Sequence, residues 1–455
     1  MSRLLLTSLV LLSVAASSAS AQKGRRCLLE FERAVNREGV RVEPFENNVN
    51  FYAGGDVRLR CQGQAVRLGG DSLESVNGDV IRLVTRAYYR DDQLSLKADT
   101  LTYYKVGERV EARGHVFATS IRDSSALEGP SLDYLRAVRG VRDSAETVAQ
   151  SRPTLTIVPK RARNDTASAG PYRITADLLR GFGSSRLAGR GTVTVDRDDL
   201  RGRGDSLLYT SGSTGRTVLT GTPATWQRQG TDSFTVKGRE IRLALTDDVL
   251  DDVRTFGDGD VVQDSTHITG DSVALRFRDG KLARTDAWGR GQLAHVTQDG
   301  YDLFGDSVAI ATPDEQLRSI QIYGQGMVRN PVDTTAKAVV GDSTTAPRER
   351  DTLWGNRIEA SFQQADSAGT VITRLARIEA RGTARSLISQ TVKKRGTTSP
   401  TINYARADTI VIVMKAYPAS GFAEVRMRGN VDGVQLETAS LKGKLPALPV
   451  PRRTP

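Results

Sequence analysis

The chain runs to 455 residues, 38% of them hydrophobic, with 64 Lys and Arg against 53 Asp and Glu and a formal charge of +11 at pH 7. Beyond the N-terminus no stretch approaches the roughly 20 apolar residues that a membrane-spanning helix needs, and the basic residues lack the block or aromatic platform of a nucleic-acid surface. Arginine outnumbers lysine, which suits an anionic, phosphate-bearing partner but equally G+C-rich codon usage and the charged protection of strand edges.

Arg3, the apolar run Leu4 to Ala16 and the small-x-small triplet Ala19-Ser20-Ala21 predict a signal peptide over residues 1–21. Cys27 lacks the preceding pattern of a lipoprotein cleavage site, so no lipid anchor is expected. The mature chain is then exported. In an oxidising compartment the only two cysteines, Cys27 and Cys61, are expected to form a disulfide, two buried free thiols being the alternative. A bridge closing a loop of that size contributes roughly 3–4 kcal/mol in the chain-entropy picture. Two cysteines cannot complete a four-thiolate zinc site.

From about residue 50 onward one unit recurs, the signal to seek before any other. Its first motif is Gly70-Asp71-Ser72-Leu73, Ala98-Asp99-Thr100-Leu101-Thr102-Tyr103, Ala176-Asp177-Leu178-Leu179, Gly204-Asp205-Ser206-Leu207-Leu208-Tyr209, Gly270-Asp271-Ser272-Val273 and Gly305-Asp306-Ser307-Val308. Weaker copies stand at 129–132, 238–241, 355–358 and 407–410. Between them lies a second motif, an apolar residue, three others, Gly, one more, then an apolar residue or Gly. Val110/Gly114/Val116, Leu187/Gly191/Val193, Ile320/Gly324/Gly326 and Val425/Gly429/Val431 are examples. Alternation at period two marks each unit as β, with no long 3.6-period stripe.

The apolar parity flips at each strong copy. Leu94, Leu96 and Ala98 are even and Leu101 and Tyr103 odd; Tyr301, Leu303 and Gly305 are odd and Val308 and Ile310 even. A strand that slips by one residue turns its core face outward, so the flip predicts a bulge or corner at each Gly/Ala-Asp pair. There Gly or Ala relieves crowding and Asp hydrogen-bonds nearby backbone. The fold class expected is all-β, a long repeat-built antiparallel jelly-roll or V-shaped folded-over sheet over residues 22–440; a β-solenoid fits the same pattern. Residues 140–170 and 331–350, rich in Asp, Ser, Thr, Ala and Arg, read as exposed insertions, and 441–455 as an extended Pro/Arg-rich tail.

The tetrad Gly-Asp-Ser-Leu at 70–73 and 204–207 is similar to the nucleophile block of a lipase/esterase family, and Asp264-x-x-His267 to its base motif. Such an enzyme needs one serine on a strand-to-helix turn beside a fixed histidine and an oxyanion hole. Here the tetrad recurs at successive corners and more strand follows, so Ser72 and Ser206 are read as structural and no catalytic residue is expected. His115, His267 and His295 fall in different repeats without ligand spacing and read as solvent-face strand residues. No metal and no cofactor is expected. The corner aspartates read as hydrogen-bonding residues rather than a calcium ladder, and Trp226, Trp288 and Trp354 as packing residues.

The alternation of Ala/Gly-Asp-x-Leu-x-Tyr with x-Gly-x-Val, clear at 98–116 and 187–209, resembles the OstA-like (organic-solvent-tolerance) repeat family over roughly residues 50–440. That family includes the periplasmic bridge protein of lipopolysaccharide transport and the periplasmic part of its outer-membrane translocon. The resemblance implies a periplasmic or outer-membrane-associated β stack that shields acyl chains of lipopolysaccharide or a similar glycolipid. It further implies partnership with other jelly-roll transport components by end-to-end strand pairing, and no nucleic acid. Inward residues Leu101, Tyr103, Leu207, Tyr209, Val273, Leu275, Val308 and Ile310 would line one continuous apolar trough. The chain has more repeats than such bridge proteins and lacks the translocon's C-terminal barrel, so an exported structural or adhesive β scaffold remains the alternative.

Overall fold

The computed structural model describes residues 27–437 except 35–40, 46–47, 139, 159–169, 213, 231–232, 247–248, 299, 331–350, 368–369, 395–396 and 420–421. The expected signal peptide 1–21, the insertion 331–350 and the tail 441–455 lie outside the described residues. Within them the chain is an all-β meander of 28 strands in one antiparallel sheet. It starts where Leu29–Arg33 and Arg41–Phe45 pair with Asn48–Cys61, and ends where Phe422–Arg428 and Asp432–Glu437 pair with Thr397–Met414. Antiparallel pairing throughout decides against a β-solenoid. Roughly twenty rungs at ~4.8 Å spacing give a stack about 100 Å long.

Each rung is creased where the parity flips. Between Leu94–Tyr104 and Arg109–Ser120 the register slips at Lys97/Thr100, and between Arg109–Ser120 and Ala126–Leu135 at Arg113/Val116. The slip recurs at Arg203/Ser206 and Tyr323/Gly326. Because of it Leu96, Ala98, Leu101 and Tyr103 are all buried although their parity changes. Two kinds of corner alternate. In one strand Ala98-Asp99 turns with ordinary backbone; in the next Gly114 (φ +74°) and His115 (φ +39°) are both left-handed. A Cβ on Gly114 would meet the Asp99 carboxylate, and one on Gly324 that of Asp306. The two sequence motifs are therefore the two halves of one contact.

The aspartates do less backbone bonding than the sequence suggests. Asp271 accepts the amides of Arg290 and, at 3.0 Å, Gly291. At other corners the carboxylate takes the side chain that follows the left-handed residue on the neighbouring rung: Arg86 on Asp71 (2.8 Å), His115 on Asp99 (2.7 Å), Arg152 on Asp177 (3.2 Å) and Asn430 on Asp408 (3.3 Å). The backbone contact runs the other way, the amide of the Asp donating to the glycine carbonyl at 2.9 Å in Asp306–Gly324 and Asp408–Gly429.

Part of the expected insertion 140–170 is strand. Glu146–Gln150 pairs with Ser131–Leu135 and Leu178–Phe182, and Thr154–Ile157 with Ala126–Glu128 and Tyr172–Thr175. Together they make one rung, broken at left-handed Ser151 and Arg152. Its polar composition hid it, because only Ala149 is buried among its strand residues. Near this rung the interior divides. One apolar cluster runs from Cys27 to Ala149 and a second from Ile174 to Ile412. Cys27 and Cys61 are joined, both 2% exposed, and the amide of Gln62 donates to the Leu28 carbonyl at 2.8 Å.

Opposite the crease the hairpin turns form two free edges. One carries the turns at 62–66, 91–93 and 121–125, the other those at 77–79, 105–108 and 136–138 with 140–142. Neighbouring turns on an edge are bonded, as in Ile121 N–H to Gln93 (2.9 Å) and Arg136 N–H to Glu108 (3.0 Å). Over the N-terminal cluster a buried polar group joins the edges. Asp91, with its side chain wholly inaccessible, accepts from Tyr89 (3.0 Å) on its own wall and Tyr134 (2.8 Å) on the other. Tyr103 donates to Glu108 at 2.8 Å. Arg136 lies 3.9 Å from Asp91 and 3.4 Å from Glu108, and also donates to Gln64.

Gly114→Ala should destabilise by about 1–3 kcal/mol, through left-handed strain and the clash with Asp99. Gly54→Ala, which meets nothing within 4 Å, should stay within ~0.5 kcal/mol; equal denaturant midpoints for the two variants would refute the corner contact. A second expectation concerns alkali. Burial first, then the nearby carboxylates, push the Tyr89, Tyr103 and Tyr134 phenols above their ordinary range. With folded values above the unfolded value near ~10, their contribution is full below about pH 10 and is lost as pH rises further. Phenolate absorbance should show three of the 12 tyrosines ionising only as β circular dichroism is lost; their ionising with the rest in a folded protein would contradict this.

Candidate functional site

The eight residues expected to line a trough all face the interior. Leu101, Tyr103, Leu207, Val273, Leu275, Val308 and Ile310 are buried, and Tyr209 is half-buried against the same core. They do not form one continuous lining. Leu101 and Tyr103 belong to the N-terminal cluster and the other six to the second. The Tyr103 hydroxyl is engaged by Glu108 rather than facing an open channel.

Space opens further along. A cavity of about 550 Å³ lies between the two walls near the C-terminal end. Ile320, Ile358, Ile378 and Ile412 line it from one wall, Leu353 and Ile388 from the other. None of the eight expected residues lines it, although Val308 and Ile310 pair directly with Ile322 and Ile320 of its wall. Side-chain volume explains the position. The N-terminal cluster is filled by Tyr89, Tyr103 and Tyr134, whereas buried inward positions around the cavity are taken by Ala360, Ala380, Ala384 and Ser386. Gly355, tight against Ala380 and Arg381, keeps the corner close, so the vacant volume lies towards the free edges.

The rim is polar on both edges. Gln298, Tyr301 and Asp351 come from one, Glu315, Arg374 and Lys415 from the other. Lys281 holds Glu315 at 2.9 Å, and the Arg374 guanidinium lies 5.4 Å from the Tyr417 ring centroid. An apolar floor beneath charged and hydrogen-bonding lips accommodates an amphiphile whose chain is buried and whose head stays in water. Sequence reasoning placed a copy of the corner motif here, at 355–358, but did not find the cavity. The readable signal was the run of small inward residues, Ala380, Ala384 and Ser386, after rungs of Leu, Ile and Tyr.

The other singled-out residues have local roles. Ser72 and Ser206 lie inside strands Arg67–Val76 and Leu200–Thr210, and the Ser206 hydroxyl is 2.6 Å from that of Thr220. Asp264 occupies a left-handed turn while His267 bonds Asp260 at 3.0 Å. His115 is exposed at its corner, but His295 is not a plain solvent-face residue: it stacks on Phe304 at 4.2 Å and bonds Asp302 at 3.1 Å. Trp226 is buried against Gly202, whereas Trp288 is 39% exposed. Among the described residues no group of three or more His, Cys, Asp and Glu is placed to hold a metal ion, and no helix is long and apolar enough to cross a membrane.

No protein-family model matches the chain, and no curated protein matches it. Among solved structures it is similar to the crystal structure of LptH, the LptA-homologous periplasmic component of the conserved lipopolysaccharide transport device from Pseudomonas aeruginosa. The two are 17% identical over 26% of this chain and 83% of that one, with a TM-score of 0.23. The similarity therefore spans about a quarter of the stack and does not superpose the two folds as wholes.

Proposed function

We propose that the chain is a periplasmic lipid-shielding bridge in lipopolysaccharide transport and outer-membrane assembly, binding an acyl chain between its walls without catalysing a reaction. The observation that carries this reading is the cavity of about 550 Å³ with apolar walls and a polar rim. Its volume falls within the ~300–1,000 Å³ of small-molecule sites. Each methylene buried there gains about 0.8 kcal/mol, so a chain of several carbons supplies useful affinity while its sugars and phosphates stay at the rim. Among the described residues the terminal rungs, Leu29–Arg33 at one end and Phe422–Arg428 with Asp432–Glu437 at the other, each pair with a strand on one side only. Such edges suit end-to-end strand addition by related sheets. A structural scaffold is the second reading, favoured by the packed surroundings of Leu101, Leu207 and Val273.

Ala360→Trp separates the two. It fills the cavity and should weaken binding of a fluorescent fatty-acyl probe roughly tenfold or more, with the thermal midpoint nearly unchanged. A photo-crosslinker at Ile378 should label lipopolysaccharide in cells. Probe affinity equal to that of the unsubstituted protein, with no labelling from Ile378, would favour the scaffold.

A further inference from the structure

The two ends of the interior are closed differently along the same side. Near the C-terminus a cavity lies between the walls with polar residues of both edges at its rim; over the N-terminal cluster the edges are joined by Asp91, Glu108, Arg136, Gln64 and the three tyrosines. Among the described residues the polar contacts from edge to edge include the Tyr134 hydroxyl on Asp91, Arg136 on Asp91 and Arg136 on Gln64, and beneath them the Tyr89 ring meets those of Tyr103 and Tyr134. Tyr89–Asp91 and Tyr103–Glu108 stay within one wall, and Asp91 is further held by the amides of Gln93 (2.8 Å) and Leu94 (2.7 Å) of its own turn.

Each wall thus keeps its carboxylate satisfied when the walls part, because turn amides and a phenol remain on Asp91 and a phenol remains on Glu108. One arginine serves both carboxylates, at 3.9 and 3.4 Å. It lies at the start of a turn where Val138 and Arg142 form a bridge and Arg142 donates to the Arg136 carbonyl (2.6 Å). Val141 beside it is 74% exposed. Behind the seam the lining is apolar, Leu83, Leu96, Leu101, Val110 and Ala112 all being wholly buried.

We propose that Arg136 and Tyr134 form a releasable clasp, and that the N-terminal interior behind it is a second compartment for an alkyl chain, closed in the structure described. Released, it has the same arrangement as the C-terminal cavity, an apolar floor between charged edges. The proposal extends the lipid reading to a separate part of the stack and assigns Arg136 a positioning role. It does not require that the C-terminal cavity be occupied.

The test uses the full mature chain with the C-terminal cavity filled by Ala360→Trp, so that the two readings fail separately. Adding Arg136→Met should create binding of the fatty-acyl probe, about one per chain, and speed amide exchange at 91–94 and 105–108 several-fold while strand Phe234–Thr246 exchanges as before. Tyr134→Phe removes a single cross-wall bond and should do the same more weakly; it decides the matter if Arg136→Met fails to fold. Probe binding no greater than with Ala360→Trp alone, or loss of the β fold in both variants, would overturn the proposal and leave the group a fixed part of the core.

Discussion

The structure depends on one steric arrangement, an aspartate on one rung lying over a left-handed residue on the next. At Asp99–Gly114, Asp177–Gly191, Asp306–Gly324 and Asp408–Gly429 the carboxylate occupies the place a Cβ would need. The crease follows from it. Without the extra residue at the corner, strict alternation would send the apolar residues of one half-strand to the outside. With it, a single sheet folds over itself and both halves face inward. The ion pairs that decorate the crease, such as Arg86–Asp71 and His115–Asp99, are largely exposed and contribute little individually. Backbone conformation is the main determinant. Thr85 confirms this by departure: at φ +62° it adopts the left-handed conformation where other rungs have glycine, and Arg86 beside it still reaches Asp71.

Given that crease, the interior is set by what stands on the walls and at the free edges. Tyrosines of the N-terminal rungs are long enough to meet across the gap, with Tyr89 ring centroids 6.2 Å from Tyr103 and 6.0 Å from Tyr134. Their hydroxyls need partners once buried, and Asp91 and Glu108 provide them. In the C-terminal rungs buried inward positions are taken by Ala360, Ala384 and Ser386, and a cavity lies between the walls. One backbone plan therefore produces a closed and an open segment through side-chain length alone. Neither demands a different strand pattern.

Period and parity were legible because they are local. The flip from Ala98 to Leu101 or from Gly305 to Val308 can be read within ten residues, and it located the corners correctly. The partner of each corner aspartate was harder, since it lies a rung away; His115 is 16 positions from Asp99. The clasp was out of reach for the same reason on a larger scale. Tyr134 and Asp91 are 43 positions apart, and Arg136 and Gln64 are 72. The rung at 146–157 was hidden by composition, because its neighbours' hydrogen bonds, rather than its own apolar residues, hold it in the sheet. The place of the vacant space was out of reach for a different reason. Inward orientation is set by parity, whereas vacant space is set by the sum of side-chain volumes from two walls, which no single strand records.

The arginine excess takes a physical meaning once the outer face is considered. Along a strand, residues two apart share a face. Arg254 bonds Asp252 at 2.7 Å, Arg284 bonds Asp286 at 2.9 Å and Arg377 bonds Glu379 at 2.6 Å. Arg58 with Asp56 and Arg426 with Glu424 repeat the spacing, the guanidinium holding each carboxyl below its usual range. These arginines are engaged by carboxylates of their own strand and are poor candidates for a phosphate-binding surface. Their effect is to coat the outside of a long sheet with paired charges, which keeps its outer face from adhering to other sheets. Charge on the outer face and apolarity on the inner one are thus two readings of the same period, and the crease keeps them in register from the first rung to the last.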